Sequence, residues 1–220
     1  MLTFLVCTLA PLRVGDARAF QVFALIPVFR LVNLGMPVFF ELTLAWYPFI
    51  YGPIVLTAVL ILGGHRHRTL LSGWKLTVLA LPVTIPVSAA LAAVEYRIIQ
   101  PGALIPELTA PNLLFIGAIM LLFVGFGEEL LYRGLLQHAL VSRTGSWPAI
   151  LLTSALFGLM HSVYGRPAEL LFAGMIGLIY GVVYHWTDNL LVIAVLHGLL
   201  DVFLFGILPF YGSLTALVGL

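Results

Sequence analysis

Apolar residues run through this chain in stretches too long for strands and too continuous for the one-sided helices of a soluble domain. Near-continuous hydrophobic segments lie at roughly 20–42, 46–64, 74–94, 113–141, 148–164, 168–186 and 189–210. Each is long enough as a helix to cross about 30 Å of hydrocarbon or nearly so. The breaks carry turn and polar residues: GGHRHR at 63–68, QPGALIPELTAPN at 100–112, SRTGSWP at 142–148, YGRP at 164–167 and TDN at 187–189. This pattern predicts an all-α fold, a polytopic transmembrane bundle of about six to eight helices. No break is long enough to hold a soluble domain and no internal repeat is present, so residues 1–220 read as a single transmembrane domain.

Composition sharpens that picture. Hydrophobic residues make up 62% of the 220 positions and charged residues only 9%, against about 25% charged in a soluble domain. The ten basic residues are scattered and the net charge is +1, which gives nucleic acid nothing to bind. Cys7 is the single cysteine, so there is no internal disulfide and no thiolate cluster for a metal. The start, MLTFLVCTLAPLRVGDARAF, has a short apolar run and an Ala17-Arg18-Ala19 triplet like a signal-peptide cleavage site. Its basic residues follow the run instead of preceding it, so an incomplete first helix is the better reading. Alternating the spans puts Arg13, Arg18, Arg66, Arg68, Lys75 and Arg143 on one side and Arg97 and Arg166 on the other. The excess makes the first side cytoplasmic and the protein a multi-pass protein of the cell membrane. Gly174, Gly177 and Gly181 form a small-residue face with one GxxxG, read as close helix packing.

Ionisable groups inside the spans are few, and each costs a few kcal/mol to bury in lipid. Arg30 and Glu41 belong to the early region, with Arg30 expected in an ion pair inside the bundle. The second half holds Glu128, Glu129, Arg133, His138, His161, His197 and Asp201. Glu129, Arg133 and Gln137 are four apart and line one helix face, where Glu129 pairs with Arg133. Glu128 is turned about 100° away, onto the face of Tyr132, and stays available to a cavity. Phe157 and His161 share a face, as do His197 and Asp201, and an Asp one turn from a His can accept its ring N–H or join it as a ligand. His138 and His185 lie near helix ends, and His65 and His67 in a basic loop; all four read as packing or solvated residues. A buried carboxylate facing two imidazoles suits attack of an activated water on a carbonyl. There is no HExxH and no GxSxG, and Ser162 is on the wrong face to be activated by His161. GFGE superficially resembles GxGD, but the acid is Glu and no YD partner exists.

Three motifs in order carry a family resemblance. EELLYR at 128–133 is similar to EExxxR, FGLMH at 157–161 to FxxxH, and HGLLD at 197–201 to an HxxxN/D motif. The chain thus resembles the CAAX protease and bacteriocin-processing (CPBP, or Abi) intramembrane proteases, a family that includes CAAX prenyl protease 2. The resemblance covers a catalytic core at 113–205 and leaves 1–112 as N-terminal helices without a recognised motif.

It implies that Glu128 activates the hydrolytic water with His161 sharing the task. Glu129, Arg133 and Phe157 would support the site, and His197 and Asp201 would stabilise the oxyanion. Eukaryotic CAAX enzymes carry Asn where this chain has Asp201, and a carboxylate suits orienting His197, or holding a metal, better than donating to an oxyanion. A zinc would draw on Glu128, His161, His197 and Asp201 with one water position open. Without the paired histidines of HExxH, a metal-independent arrangement is favoured slightly over Zn2+.

The function expected is an intramembrane endopeptidase acting on a membrane-associated peptide or protein substrate. CAAX-type tails, peptide pheromones, bacteriocin precursors and membrane-protein tails all fit that class. A proton-coupled transporter would instead show two related halves, and none are visible. A catalytically silent immunity or scaffold protein would be expected to lack one of the polar residues, and all are present.

Overall fold

The computed structural model describes residues 43–62 and 73–211, and beyond these only Ala24 and Pro27. The expectations for the signal-like start, Arg30, Glu41, His65 and His67 lie outside the described residues.

Within the described stretches 43–62 and 73–211, six helices follow one another. A 3-10 turn at Leu44–Trp46 leads into α1, Tyr47–Leu62. Then come α2, Trp74–Ile99; α3, Ala110–Thr144; α4, Ser146–Tyr164; α5, Pro167–Thr187; and α6, Leu190–Tyr211. The last five are long and apolar enough to cross a membrane, and α1 contributes the shorter apolar run Leu44–Leu60. This is the all-α membrane bundle that the apolar pattern predicts.

The breaks are turns at the expected places. Gly145 at φ 84° separates α3 from α4, and Gly165 at φ 65° separates α4 from α5. Both need the left-handed region that glycine enters without steric cost. Asn189 caps α6, its Oδ1 accepting from the backbone N–H groups of Leu191 at 3.0 Å and Val192 at 3.3 Å. Its Nδ2 also donates to Gly73 O at 3.0 Å, which ties the starts of α2 and α6 to the same side. At the opposite side Arg166 Nη1 donates to Ile98 O.

Two features depart from the sequence reading. Helix α2 runs to Ile99, five residues past the expected end, because Glu95 and Ile99 continue its buried face. Helix α3 is 35 residues long and is not uniformly α-helical: it winds as π-helix at Met120–Gly125 and Leu130–Gln137, on either side of Glu128 and Glu129. Helix α6 does the same at Val202–Ile207. Wide turns of this kind recur at functional sites, and apolar periodicity offers no signal for them.

The bundle is apolar outside as well as inside. Leu79 and Leu171 are each 77% exposed and Leu114 75%, as befits surfaces facing lipid. Helix association in such a setting rests on close packing and interhelical hydrogen bonds. Helix α2 turns a stripe of Thr77, Thr84, Ser88, Ala92 and Glu95 inward, and Ser88 Oγ donates to Leu196 O on α6 at 2.7 Å. Helices α4 and α5 pack along their lengths. A Cβ on Gly158 would lie 2.5 Å from Leu170 O.

Helices α3 and α6 are in backbone contact at Gly125 and Gly198. A Cβ at Gly198 would stand 2.7 Å from Leu121 Cα and 2.8 Å from Met120 O, and neither is a side chain that can move aside. Gly198→Ala is therefore expected to push the two helices apart and to destabilise the protein by about 1–3 kcal/mol. A melt in detergent reads this; an unchanged midpoint would show that the contact can relax.

Candidate active site

The contact at Gly125 and Gly198 brings His197 onto the carboxylates of α3. Arg133, fully buried, donates from Nη1 to Glu129 Oε1 at 2.8 Å and from Nη2 to Gly177 O on α5 at 2.9 Å. One turn on, Gln137 Nε2 donates to Gly181 O at 3.0 Å. The side chains spaced by four on α3 thus meet glycine carbonyls spaced by four on α5. The GxxxG face does pack closely against α4, with Ser154 Cα 3.2 Å from a Gly177 Cβ position, but it also admits these two polar side chains. The Arg133 guanidinium lies 4.7 Å from the Phe157 ring centroid, between Tyr132 and Tyr180.

Glu129 Oε1 takes a second donor, His197 Nδ1, at 2.8 Å. The i, i+4 spacing points to Asp201 as the acceptor of a His197 ring N–H. In the folded chain Glu129 takes Nδ1, and Asp201 Oδ2 lies 3.7 Å from Nε2. Interhelical contact at Gly198 places a carboxylate of another helix nearer than the one a turn away.

Glu128 is not drawn into that network. Its Oε1 accepts from the Tyr51 hydroxyl of α1 at 2.7 Å, and its Oε2 stands 4.0 Å from His197 Nε2. His161 opens a 3-10 turn at the end of α4, where its Nδ1 meets Phe157 O at 2.9 Å. A carbonyl can only accept, so Nδ1 carries the hydrogen and Nε2 is the acceptor nitrogen of the neutral ring. Phe157 stands at the centre, with ring centroids 4.9 Å from His161, 5.8 Å from His197 and 5.1 Å from Tyr132.

A small cavity lies between α2, α4, α5 and α6. Its polar wall is Glu95, His161, His197 and Asp201, with Phe157 and Leu200 among the apolar groups. The structure therefore gathers His161, His197, Asp201 and Phe157 around one space, and Glu128 stands next to it, its Oε2 4.0 Å from His197 Nε2. His138 and His185 are exposed and line no part of it.

Two residues of the site were not singled out from the sequence. Tyr51 is a neutral residue on an apolar helix and carries no spacing signal. Glu95 did have one, since it continues the inward stripe of Ser88 and Ala92 at helical spacing. Ending the span at 94 placed it in a loop.

Among the described residues no three of His, Cys, Asp and Glu are disposed to hold an ion. The His161 Nδ1 and His197 Nδ1 atoms are taken by a carbonyl and by Glu129, which leaves Nε2 of each ring toward the cavity side of the site. No step below is routed through a metal.

Comparison with known proteins agrees with the motifs. Residues 110–203, under half of the chain, match the Rce1-like family, described as type II CAAX prenyl endopeptidase Rce1-like. No curated protein and no solved structure matches the chain. The matched segment is α3 to α6 as far as Phe203, and so contains Glu128, His161, His197 and Asp201. Over residues 110–203 this membrane protein is similar to the type II CAAX prenyl endopeptidase Rce1-like family.

Proposed function

We propose that the protein is an endopeptidase of the cell membrane that hydrolyses a peptide bond of a membrane-associated substrate with water activated by Glu128. What supports this reading is the division of labour between adjacent carboxylates. Glu129 is held by Arg133 and His197, whereas Glu128 has one oxygen fixed by Tyr51 and the other turned toward His197. A carboxylate with one oxygen oriented and one available suits a general base.

In this mechanism Glu128 takes a proton from water as the oxygen attacks the substrate carbonyl. His161 Nε2, left as an acceptor, helps to hold that water. The carbonyl becomes an oxyanion, and His197 Nε2 is its donor. With Nδ1–H committed to Glu129, Nε2 can donate only if it too carries a proton, and Asp201 at 3.7 Å then balances the imidazolium. Asp201 thus serves the oxyanion through His197 and not by direct donation. The substrate class includes CAAX-type tails and peptide precursors.

Incubation of the purified protein in detergent with a library of membrane-associated peptides tests the reading. Cleavage by the wild type and none by Glu128→Gln is the expected result; equal cleavage by both would remove Glu128 from the role.

Metal dependence is tested separately. Activity is expected to survive exhaustive chelation, because the residues supply base and oxyanion donor themselves. One tightly held zinc per chain, with activity lost on its removal and restored on its return, would overturn this part.

A further inference from the structure

The mechanism above leaves one polar wall of the cavity unused. Glu95, on α2, is 7% exposed and lines the cavity beside His161, His197 and Asp201. Behind it lies Glu169 on α5, fully buried, its carboxyl facing that of Glu95. Apart from the Glu95 carboxyl, no hydrogen-bond partner meets Glu169, and among the described residues no salt bridge reaches either glutamate. Asp201, 7% exposed, also lines the cavity, its Oδ2 3.7 Å from His197 Nε2 and without a hydrogen bond. A buried polar atom without a hydrogen-bond partner is costly. Two facing carboxyls in a dry interior are accommodated when a proton lies between them.

Peptide hydrolysis needs such a proton. The nitrogen of the scissile bond is a poor leaving group until it is protonated, and Glu128 stands on α3, beside His197, with the proton it took from water.

We propose that Glu95 is the proton donor to the leaving amine and that Glu169 is its positioning residue; this rests on the reading of Glu128 as base. The C–N bond breaks, its electron pair stays on nitrogen, and the proton of the Glu95 carboxyl forms the new N–H bond. The proton held on Glu128 then returns to Glu95 through water in the cavity. The sum is peptide plus water giving acid plus amine, with both glutamates restored.

The test uses a peptide cleaved by the wild type in the library assay and its thioester analogue, in which sulfur replaces the scissile nitrogen. A thiol of pKa about 8.5 leaves as the thiolate without being protonated. Glu95→Gln is expected to lower amide hydrolysis about 10²-fold or more while changing thioester hydrolysis less than about 3-fold. Glu169→Gln is expected to give the same selectivity in weaker form. Equal losses on both substrates, or full amide activity in Glu95→Gln, would overturn the assignment. Glu128→Gln should lose both substrates alike, and its retention of either would count against the base and not against Glu95.

Discussion

Glu128→Gln is expected to lower kcat by about 10²–10⁴-fold while the melting temperature in detergent stays where it was. The range is what a positioned general base contributes. The substitution is nearly isosteric, and the amide oxygen of Gln can still accept from the Tyr51 hydroxyl now seen at 2.7 Å. The only function removed is the capacity to take a proton. Tyr51→Phe is the companion measurement: a hydrogen bond to a charged group is worth about 1.5–3 kcal/mol, so losing this one should reduce activity by a smaller factor. An inactive Glu128→Gln with a lowered midpoint would mean that the carboxylate holds the bundle together as well.

Arg133→Ala is expected to show the opposite pattern, with stability falling first. Arg133 is fully buried and joins Glu129 on its own helix to Gly177 on α5. Removing one partner of a buried ion pair costs about 3–5 kcal/mol because the remaining charge is uncompensated. Here that charge is on Glu129, which also holds His197 Nδ1. Activity should therefore fall together with the thermal midpoint, through misplacement of His197. Arg133→Lys should recover little, since an ammonium on a flexible stem cannot make the forked contact to a carboxylate and a carbonyl on different helices. Loss of activity at unchanged stability would move Arg133 from support into the chemistry.

The pairing of Glu129 with Arg133 shows why part of this site is legible in one dimension. Both lie on one helix four residues apart, and helix geometry alone brings them together. The same holds for Phe157 with His161, whose rings are 4.9 Å apart. The apolar spans are legible for a different reason. Lipid cannot hydrogen-bond the backbone, so a segment long and apolar enough to enter it has little choice but helix. The ordered motifs at 128–133, 157–161 and 197–201 point to the protease family because each packs its polar groups into one turn of helix.

Contacts between helices are a different matter, because spacing within one helix does not specify the distance to another. His197 could have been oriented by Asp201 one turn away; Glu129 does it because Gly125 and Gly198 allow α3 and α6 to touch backbone to backbone. Tyr51 on Glu128 had no pattern to announce it, and the π-helical turns around the two glutamates leave the apolar period unchanged. Glu95 lies one helical step beyond the span that the apolar run marks out, and what it faces is set by the packing of α2 against α5 and α6. The apolar pattern carries the fold class and the approximate spans, and it shows which carboxylates and imidazoles are available. Only the tertiary structure decided which carboxylate orients an imidazole and which is left for water, since hydrogen bonds reach about 3 Å and that reach is set by how closely the helices pack.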